Sequence, residues 1–166
     1  MSLFEYKKKR NFSKTSEPSG SNAFVRPANI KRFVIQRHRA SRLHYDFRLE
    51  EEGPDGKTVL LSWAVVKNIP MEPKIKRLAI RTEDHPLEYI DFKGKIPEGE
   101  YGAGTVEIWD NGDWSKLKGS LEEGHLDILL SGKKISGNYI MVKTKGYGKK
   151  RMPEGIGSSW LIWKRG

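Results

Sequence analysis

Cysteine is absent from the 166 residues, which excludes disulfides, thiolate nucleophiles and cysteine-ligated zinc sites. Long apolar runs are missing as well. No stretch approaches the roughly 18 to 20 consecutive apolar residues that a membrane span requires. The N-terminus, MSLFEYKKKRNFSKTSEPSG, carries cations but lacks the apolar segment of a secretory signal. A cytoplasmic location with no membrane partner is the expectation. Helical periodicity is scarce, and only Ala40–Leu43 and Ser115–Gly124 offer candidates for short helices.

Positive charge is abundant, with a net value of +10. Residues 1–32 carry eight Lys/Arg against two Glu, and residues 143–166 carry seven against one, which leaves a near-neutral centre. Basic ends of this kind suit a polyanion such as nucleic acid, whose phosphates they neutralise. A purely solubilising role accounts for the same charge.

From Arg32 onward the pattern is one of short strands. RFVIQRH, LHYDFRLE, TVLLSWAVV, RLAIRTE, TVEIWDNG, HLDILLSG, NYIMVKTK and SSWLIWKR are rich in β-branched and aromatic residues, and Gly, Pro, Asp and Asn separate them. The Asn111-Gly112 pair reads as a hairpin turn. Mainly β architecture follows, an antiparallel sandwich or a closed barrel; one compact antiparallel β-barrel of about eight strands with short helices is the expectation, because closure removes exposed edges. The division expected is a basic arm over residues 1–30 and a barrel over residues 31–166, within a length that suits one core.

Gln36, His38, His44, Asp46 and Arg48 all occupy even positions in QRHRASRLHYDFRLE. Alternate side chains of a strand face opposite ways. His44, Asp46 and Arg48 therefore share one face, and Tyr45, Phe47 and Leu49 share the other. A chain reversal between the histidines joins His38 to the polar face. Two imidazoles and a carboxylate suit a divalent transition metal, and three protein ligands leave coordination positions open for chemistry. A guanidinium suits phosphate oxygens. An Asp46–Arg48 salt bridge on an ordinary polar face is the simpler alternative.

Further cations lie at Lys67 and Arg77. In RLAIRTE the alternation places Leu78 and Ile80 in the core and turns Arg77, Ala79 and Arg81 away from it. His85 and Tyr89 in EDHPLEYIDF suit proton transfer and phosphate bonding, although capping or packing explains either. His125 lacks clustered partners and reads as structural. Gly99, Gly102 and Gly104 lack the ending of a phosphate loop, so tight turns and close backbone approach explain them. The five tryptophans offer stacking surfaces, but core packing is the simpler account of each.

Taken in order, QRHRASRLHYDFRLE, LSWAVVK, RLAIRTEDHPLEY and IPEGEYGAGTVEIWD resemble the 3′-phosphoesterase domain of bacterial DNA ligase D and its free-standing relatives, from about Lys9 to Trp163. The resemblance implies a β-barrel that processes DNA 3′ ends with a divalent metal, typically manganese. Such enzymes remove a 3′-terminal ribonucleoside from a primer and then hydrolyse the remaining 3′-phosphate. By motif, His38, His44 and Asp46 match the metal ligands. Gln36, Arg48, Lys67 and Arg77 match residues around the metal and scissile phosphate, and His85 and Tyr89 match active-site residues. KKRNFSKTSEP resembles an arm motif that brings Arg10 and Glu17 to the site, with Asn11 where the family usually has Asp. The absence of ligase or polymerase sequence leads to the expectation of a stand-alone enzyme, with Ku, a ligase or a polymerase of an end-joining pathway as partners suggested by the family. Two other readings fit the same residues: a non-catalytic basic barrel that binds DNA ends, and a metal phosphatase for small phosphoesters.

Overall fold

The alternation that begins at Arg32 forms strands throughout. The computed structural model describes residues 2–20, 31–145 and 155–166. Among the described residues these strands are β1 (Arg32–Arg39), β2 (Leu43–Glu52), β3 (Thr58–Val65), β4 (Lys76–Pro86), β5 (Gly94–Ile96), β6 (Gly104–Ser120), β7 (His125–Gly132), β8 (Ser136–Lys143) and β9 (Ser159–Lys164). Strands β1 to β4 are successive antiparallel neighbours, β4 pairs with β9, and the order returns through β8, β7 and β6. Pairing of β6 with β1 closes an eight-stranded antiparallel barrel, and β5 attaches to β6 outside the closed ring. The eight runs legible in the sequence are the eight barrel strands. No described helix is long and apolar enough to cross a membrane.

Neither anticipated helix forms. Residues 40–42 are the tight connection between β1 and β2, and Ser115–Ser120 continues β6 in register with β7. Pairing with a neighbouring strand overrides the weak local preference there. The described helices are α1 (Phe4–Lys8), in the arm, and a 3-10 helix (Leu87–Asp91) after β4. Asn111-Gly112 makes no hairpin either. It lies inside β6, where the strand passes from pairing with β1 to pairing with β7. A Cβ on Gly112 would stand 2.1 Å from the Ser131 carbonyl oxygen, so close backbone approach explains this glycine. Beside it the buried Asp110 carboxylate accepts the backbone N–H groups of Asn111, Lys133, Lys134 and Ile135 at 2.8–3.0 Å, tying the β7–β8 turn to this corner.

Two apolar clusters follow from strand alternation. Phe33, Ile35, Phe47, Leu49, Trp63, Ile128, Tyr139, Trp160 and Ile162 fill the barrel interior. Val34, Leu60 and Val106 lie on the outer wall, where Tyr6 of α1 and Leu87, Tyr89 and Ile90 of the 3-10 helix cover them. Each large side chain so buried contributes about 1.5–3 kcal/mol. The outer cluster matters for function, because it fastens the arm and the 3-10 helix over the wall that bears the even-numbered polar residues.

The expected orientation of β4 is reversed. Ala79 is buried in the interior opposite Trp160, where a small residue makes room for the indole, and Leu78 is 52% exposed. Arg81 is buried too, its guanidinium 5.7 Å from the Trp63 ring and 3.0 Å from Asp84. Leu60 pairs with His85 but Ser62 pairs with Thr82, so β4 carries one residue more than β3 between these pairs. That bulge changes the strand's phase and turns His85 to the outer wall.

Candidate active site

Cross-strand pairing sets the site. In β1 and β2, His38 stands opposite His44, Gln36 opposite Asp46 and Val34 opposite Arg48. Directly opposed residues share a face, so the polar groups of both strands converge on the outer wall. One ligand atom from each of His38, His44 and Asp46 lies within 4.8 Å of the others. Gly104 closes the neighbourhood tightly, since a Cβ there would stand 1.9 Å from the Arg39 carbonyl oxygen.

The hydrogen bonds of the imidazoles test whether this trio fits a metal. His38 Nε2 lies 2.6 Å from the Gly102 carbonyl oxygen, and His44 Nδ1 lies 3.1 Å from the Arg42 carbonyl oxygen. A carbonyl only accepts, so these nitrogens carry the protons, and the tautomers are assigned from their partners. The other nitrogens, His38 Nδ1 and His44 Nε2, then turn lone pairs towards the Asp46 oxygens at 3.4 and 3.2 Å. Convergence of acceptors needs a positive charge among them, supplied by a proton or by a cation. Backbone carbonyls orienting both rings are the usual outer partners of metal-bound histidine. The donor set therefore fits a divalent transition metal. Burial opposes protonation of His44, yet the hydrogen bond and charge of Asp46 raise its pKa. Asp46 is buried, which disfavours its charge, but Arg48 and the two imidazoles hold its pKa far below the usual carboxylate range.

Arg48 connects the trio to the rest of the pocket. Its Nη2 lies 3.3 Å from Asp46, its Nε donates to Gln36 Oε1 at 2.7 Å and its Nη1 lies 3.3 Å from His85 Nδ1. Gln36 is itself fixed, because its Nε2 donates to the carbonyls of Tyr89 and Phe92 at 2.9 and 3.0 Å. The arm supplies a second guanidinium. Arg10 Nε donates to Glu17 at 2.9 Å, Nη1 to Glu83 at 3.2 Å, and Nη2 lies 3.3 Å from His85 Nε2. Tyr89 donates its hydroxyl proton to Glu17 at 2.7 Å, and Thr15 donates to the other Glu17 oxygen at 3.0 Å. A cavity of about 350 Å³ opens between Arg10, Arg48, the trio and His85. A larger cavity of about 700 Å³ lies between α1 and the β2–β3 turn, but it gathers no imidazole and no buried carboxylate.

His85 is buried between the two guanidiniums. Its Nδ1 donates to the Glu83 carbonyl at 2.9 Å, leaving Nε2 to accept from Arg10. Burial and the charges of Arg48 and Arg10 push its pKa well below 6.5, so the ring is neutral at neutral pH. Below about pH 6.5 the unfolded chain takes up a proton that this folded ring refuses, so stability falls as the pH drops. His85→Gln is expected to remove up to about 1.4 kcal/mol per pH unit of that loss. Urea midpoints of the two proteins between pH 7 and pH 5, without metal, measure the difference.

Of the residues singled out by sequence, Arg10, Glu17, His38, His44, Asp46, Arg48, His85 and Tyr89 line one pocket, and Gln36 lies behind it holding Arg48. Lys67 and Arg77 are not in its lining. Arg77 bends over the barrel end and donates to the carbonyls of Lys67 and Asn68, and Lys67 is exposed. Asn11 is outside the pocket as well; its Oδ1 accepts from the Ser13 backbone at 3.1 Å in a local turn. Of the basic ends, Arg26, Lys149, Lys150 and Arg151 lie outside the described residues. Sequence reading missed Glu83, which holds Lys9 at 2.9 Å as well as Arg10, and Tyr6, whose buried ring lies 4.0 Å from the Arg10 guanidinium. Position i−2 to His85 was the available signal for Glu83; nothing local marks Tyr6.

Comparison with known proteins bears directly on this pocket. The model of the DNA ligase D 3′-phosphoesterase domain matches residues 36–143, the span that carries the trio, Arg48, His85 and Tyr89. The multifunctional non-homologous end joining protein LigD of Pseudomonas aeruginosa is 46% identical over 165 residues, which covers 98% of this chain and 18% of that protein. The multifunctional non-homologous end joining DNA repair protein LigD of Mycobacterium tuberculosis is 48% identical over 146 residues, 87% of this chain and 18% of that protein. The Mycolicibacterium smegmatis LigD is 44% identical over 153 residues, 87% of this chain and 19% of its own length. The chain thus spans just under a fifth of the curated relatives it matches. A match over most of the chain, centred on the strands that build the pocket, establishes that this chain belongs to the DNA ligase D 3′-phosphoesterase domain family.

Proposed function

We propose that this protein is a metal-dependent DNA 3′-end phosphoesterase that removes a 3′-terminal ribonucleoside as a phosphodiesterase and a 3′-phosphate as a phosphomonoesterase. The observation that carries the reading is the convergence of His38, His44 and Asp46 beside two buried, pre-oriented guanidiniums. An ion held by His38 Nδ1, His44 Nε2 and the Asp46 carboxylate, with manganese the first candidate, supplies Lewis-acid polarisation of the phosphate and a lowered pKa for attacking water.

The protein's own residues do the rest. Arg48 and Arg10 neutralise non-bridging oxygens, and they do so without reorganisation because Gln36, Glu17 and Glu83 already fix their planes. Glu17 in turn is held by Thr15 and Tyr89, so the arm closes one side of the pocket. His85 is neutral in the free protein, but an incoming phosphate offsets the guanidinium charges that depress its pKa. That offset brings the ring towards protonation, which fits it to donate to the leaving oxygen. The paired charges of the pocket nearly balance, so a divalent ion leaves it cationic and complementary to phosphate. The basic ends suit the duplex backbone without reading sequence, and end-joining proteins such as Ku, a ligase or a polymerase are the partners that fit such an activity.

Incubation of the protein with a labelled primer-template ending in one ribonucleotide, across several divalent metals, tests the reading. Metal-dependent appearance first of a 3′-phosphate and then of a 3′-hydroxyl end is expected. An unchanged primer that is nevertheless bound makes the protein a binding module. Equal turnover of a generic aryl phosphate makes it a general phosphatase.

A further inference from the structure

Among the described residues, Tyr101 is the one aromatic ring of the pocket lining that the chemistry above leaves unused. It lines the cavity with His38, His85 and Arg10, yet it is 48% exposed, whereas Tyr89 in the same lining is 2% exposed. Its position is firmly set. The next residue, Gly102, adopts φ +75° and its carbonyl takes the His38 Nε2 proton at 2.6 Å, so the Gly102-Ala103 peptide, one residue on from Tyr101, is pinned to a residue of the trio. A Cβ on Gly102 would stand only 3.3 Å from His38 Cε1.

Two cations flank the ring. Lys9 Nζ lies 4.9 Å and the Arg10 guanidinium carbon 5.3 Å from its centroid. Both are also bound to the single Glu83 carboxylate, at 2.9 and 3.2 Å, which fixes them beside the ring, while about half of the Tyr101 surface stays open to solvent. Arg10 measures how near the ring is to the reacting centre. The guanidinium that faces Tyr101 also reaches His85 Nε2 at 3.3 Å.

We infer that Tyr101 is a nucleobase platform, on whose open face stacks a base flanking the scissile phosphate at the DNA 3′ end. The inference rests on the phosphoesterase reading and adds the part of the substrate that the pocket recognises beside the phosphate. Stacking suits an end-processing site because every base offers a π-face, so an aromatic platform positions the end without sequence preference. The lip of a pocket is also where a base must lie when its phosphate reaches the floor.

The test is steady-state kinetics of the full chain on three primer-templates: one intact, one with an abasic 3′-terminal ribose, and one with an abasic residue just before the terminal nucleoside. Tyr101→Ala is expected to raise KM on the intact primer about tenfold, with kcat moving far less. Tyr101→Phe, which keeps the ring, is expected to restore the wild-type KM. The difference between wild type and Tyr101→Ala should vanish on one abasic primer, and which one identifies the base as leaving or retained. A Tyr101→Ala KM equal to wild type overturns the platform, as does a penalty that persists on both abasic primers or in Tyr101→Phe. A binding arm without metal separates this from the parent reading. A primer carrying 2-aminopurine at the same two positions should be quenched by wild type and not by Tyr101→Ala. Wild-type protein inert on every primer defeats the phosphoesterase reading, while absence of quenching at both positions defeats the platform alone.

Discussion

His44→Ala is expected to lose metal-dependent hydrolysis of a 3′-ribonucleotide primer and to weaken divalent-metal binding by more than about 100-fold. The magnitude follows by comparison. Loss of a hydrogen-bond partner behind a metal-bound histidine typically weakens affinity by about 10–100-fold, and loss of a ligand itself must exceed that. The fold should survive, because the His44 side chain is 22% exposed and belongs to neither apolar cluster. Titration calorimetry with manganese and a urea midpoint in chelator separate the two effects. Unchanged affinity, or a protein that unfolds with chelator present, contradicts the role assigned to this ring.

Arg48→Ala carries the largest expected effect on stability. Asp46 and Arg48 are 6% and 3% exposed, and removal of the guanidinium leaves a buried carboxylate without its main positive neighbour. Breaking a buried pair from one side costs about 3–5 kcal/mol. It also strips a donor from Gln36 Oε1, which loosens the link through Gln36 to the 3-10 helix. Saturating divalent metal should recover part of the deficit, because the ion supplies the charge that Asp46 has lost. Arg48→Lys keeps the charge but not the fork that reaches Asp46, Gln36 and His85 together, so it should recover stability in part and activity hardly at all. A chelated Arg48→Ala protein as stable as wild type contradicts this account.

The strand period carried much of this structure in readable form. Val34, Gln36 and His38 against Ile35 and Phe33, and Asp46 and Arg48 against Phe47 and Leu49, separate at a period of two into outer wall and interior. The reversal between His38 and His44 follows from their spacing, so the convergence of His38, His44 and Asp46 was legible from neighbouring residues. β4 was not legible because polarity points the wrong way in it, with Leu78 exposed while Ala79 and Arg81 turn to the interior tryptophans, and because the bulge between Thr82 and His85 then shifts the alternation again. Asn111-Gly112 misled for a related reason. The glycine satisfies a close backbone contact with Ser131 that only the closed barrel creates. α1 escaped notice because its single buried residue, Tyr6, gives no periodicity and earns its place by covering Val34, Leu60 and His85 from outside. The contacts of Arg10, Glu17 and Glu83 span about seventy residues, and only the family motif pointed to the first two.

The most direct measurement is anomalous diffraction from crystals of the full chain equilibrated with manganese. One strong peak is expected within coordination distance of His38 Nδ1, His44 Nε2 and an Asp46 oxygen, with Gly102 and Arg42 carbonyls still holding the opposite ring nitrogens. A manganese peak elsewhere, or one that engages at most one of these three side chains, contradicts the claim that this trio is the metal centre.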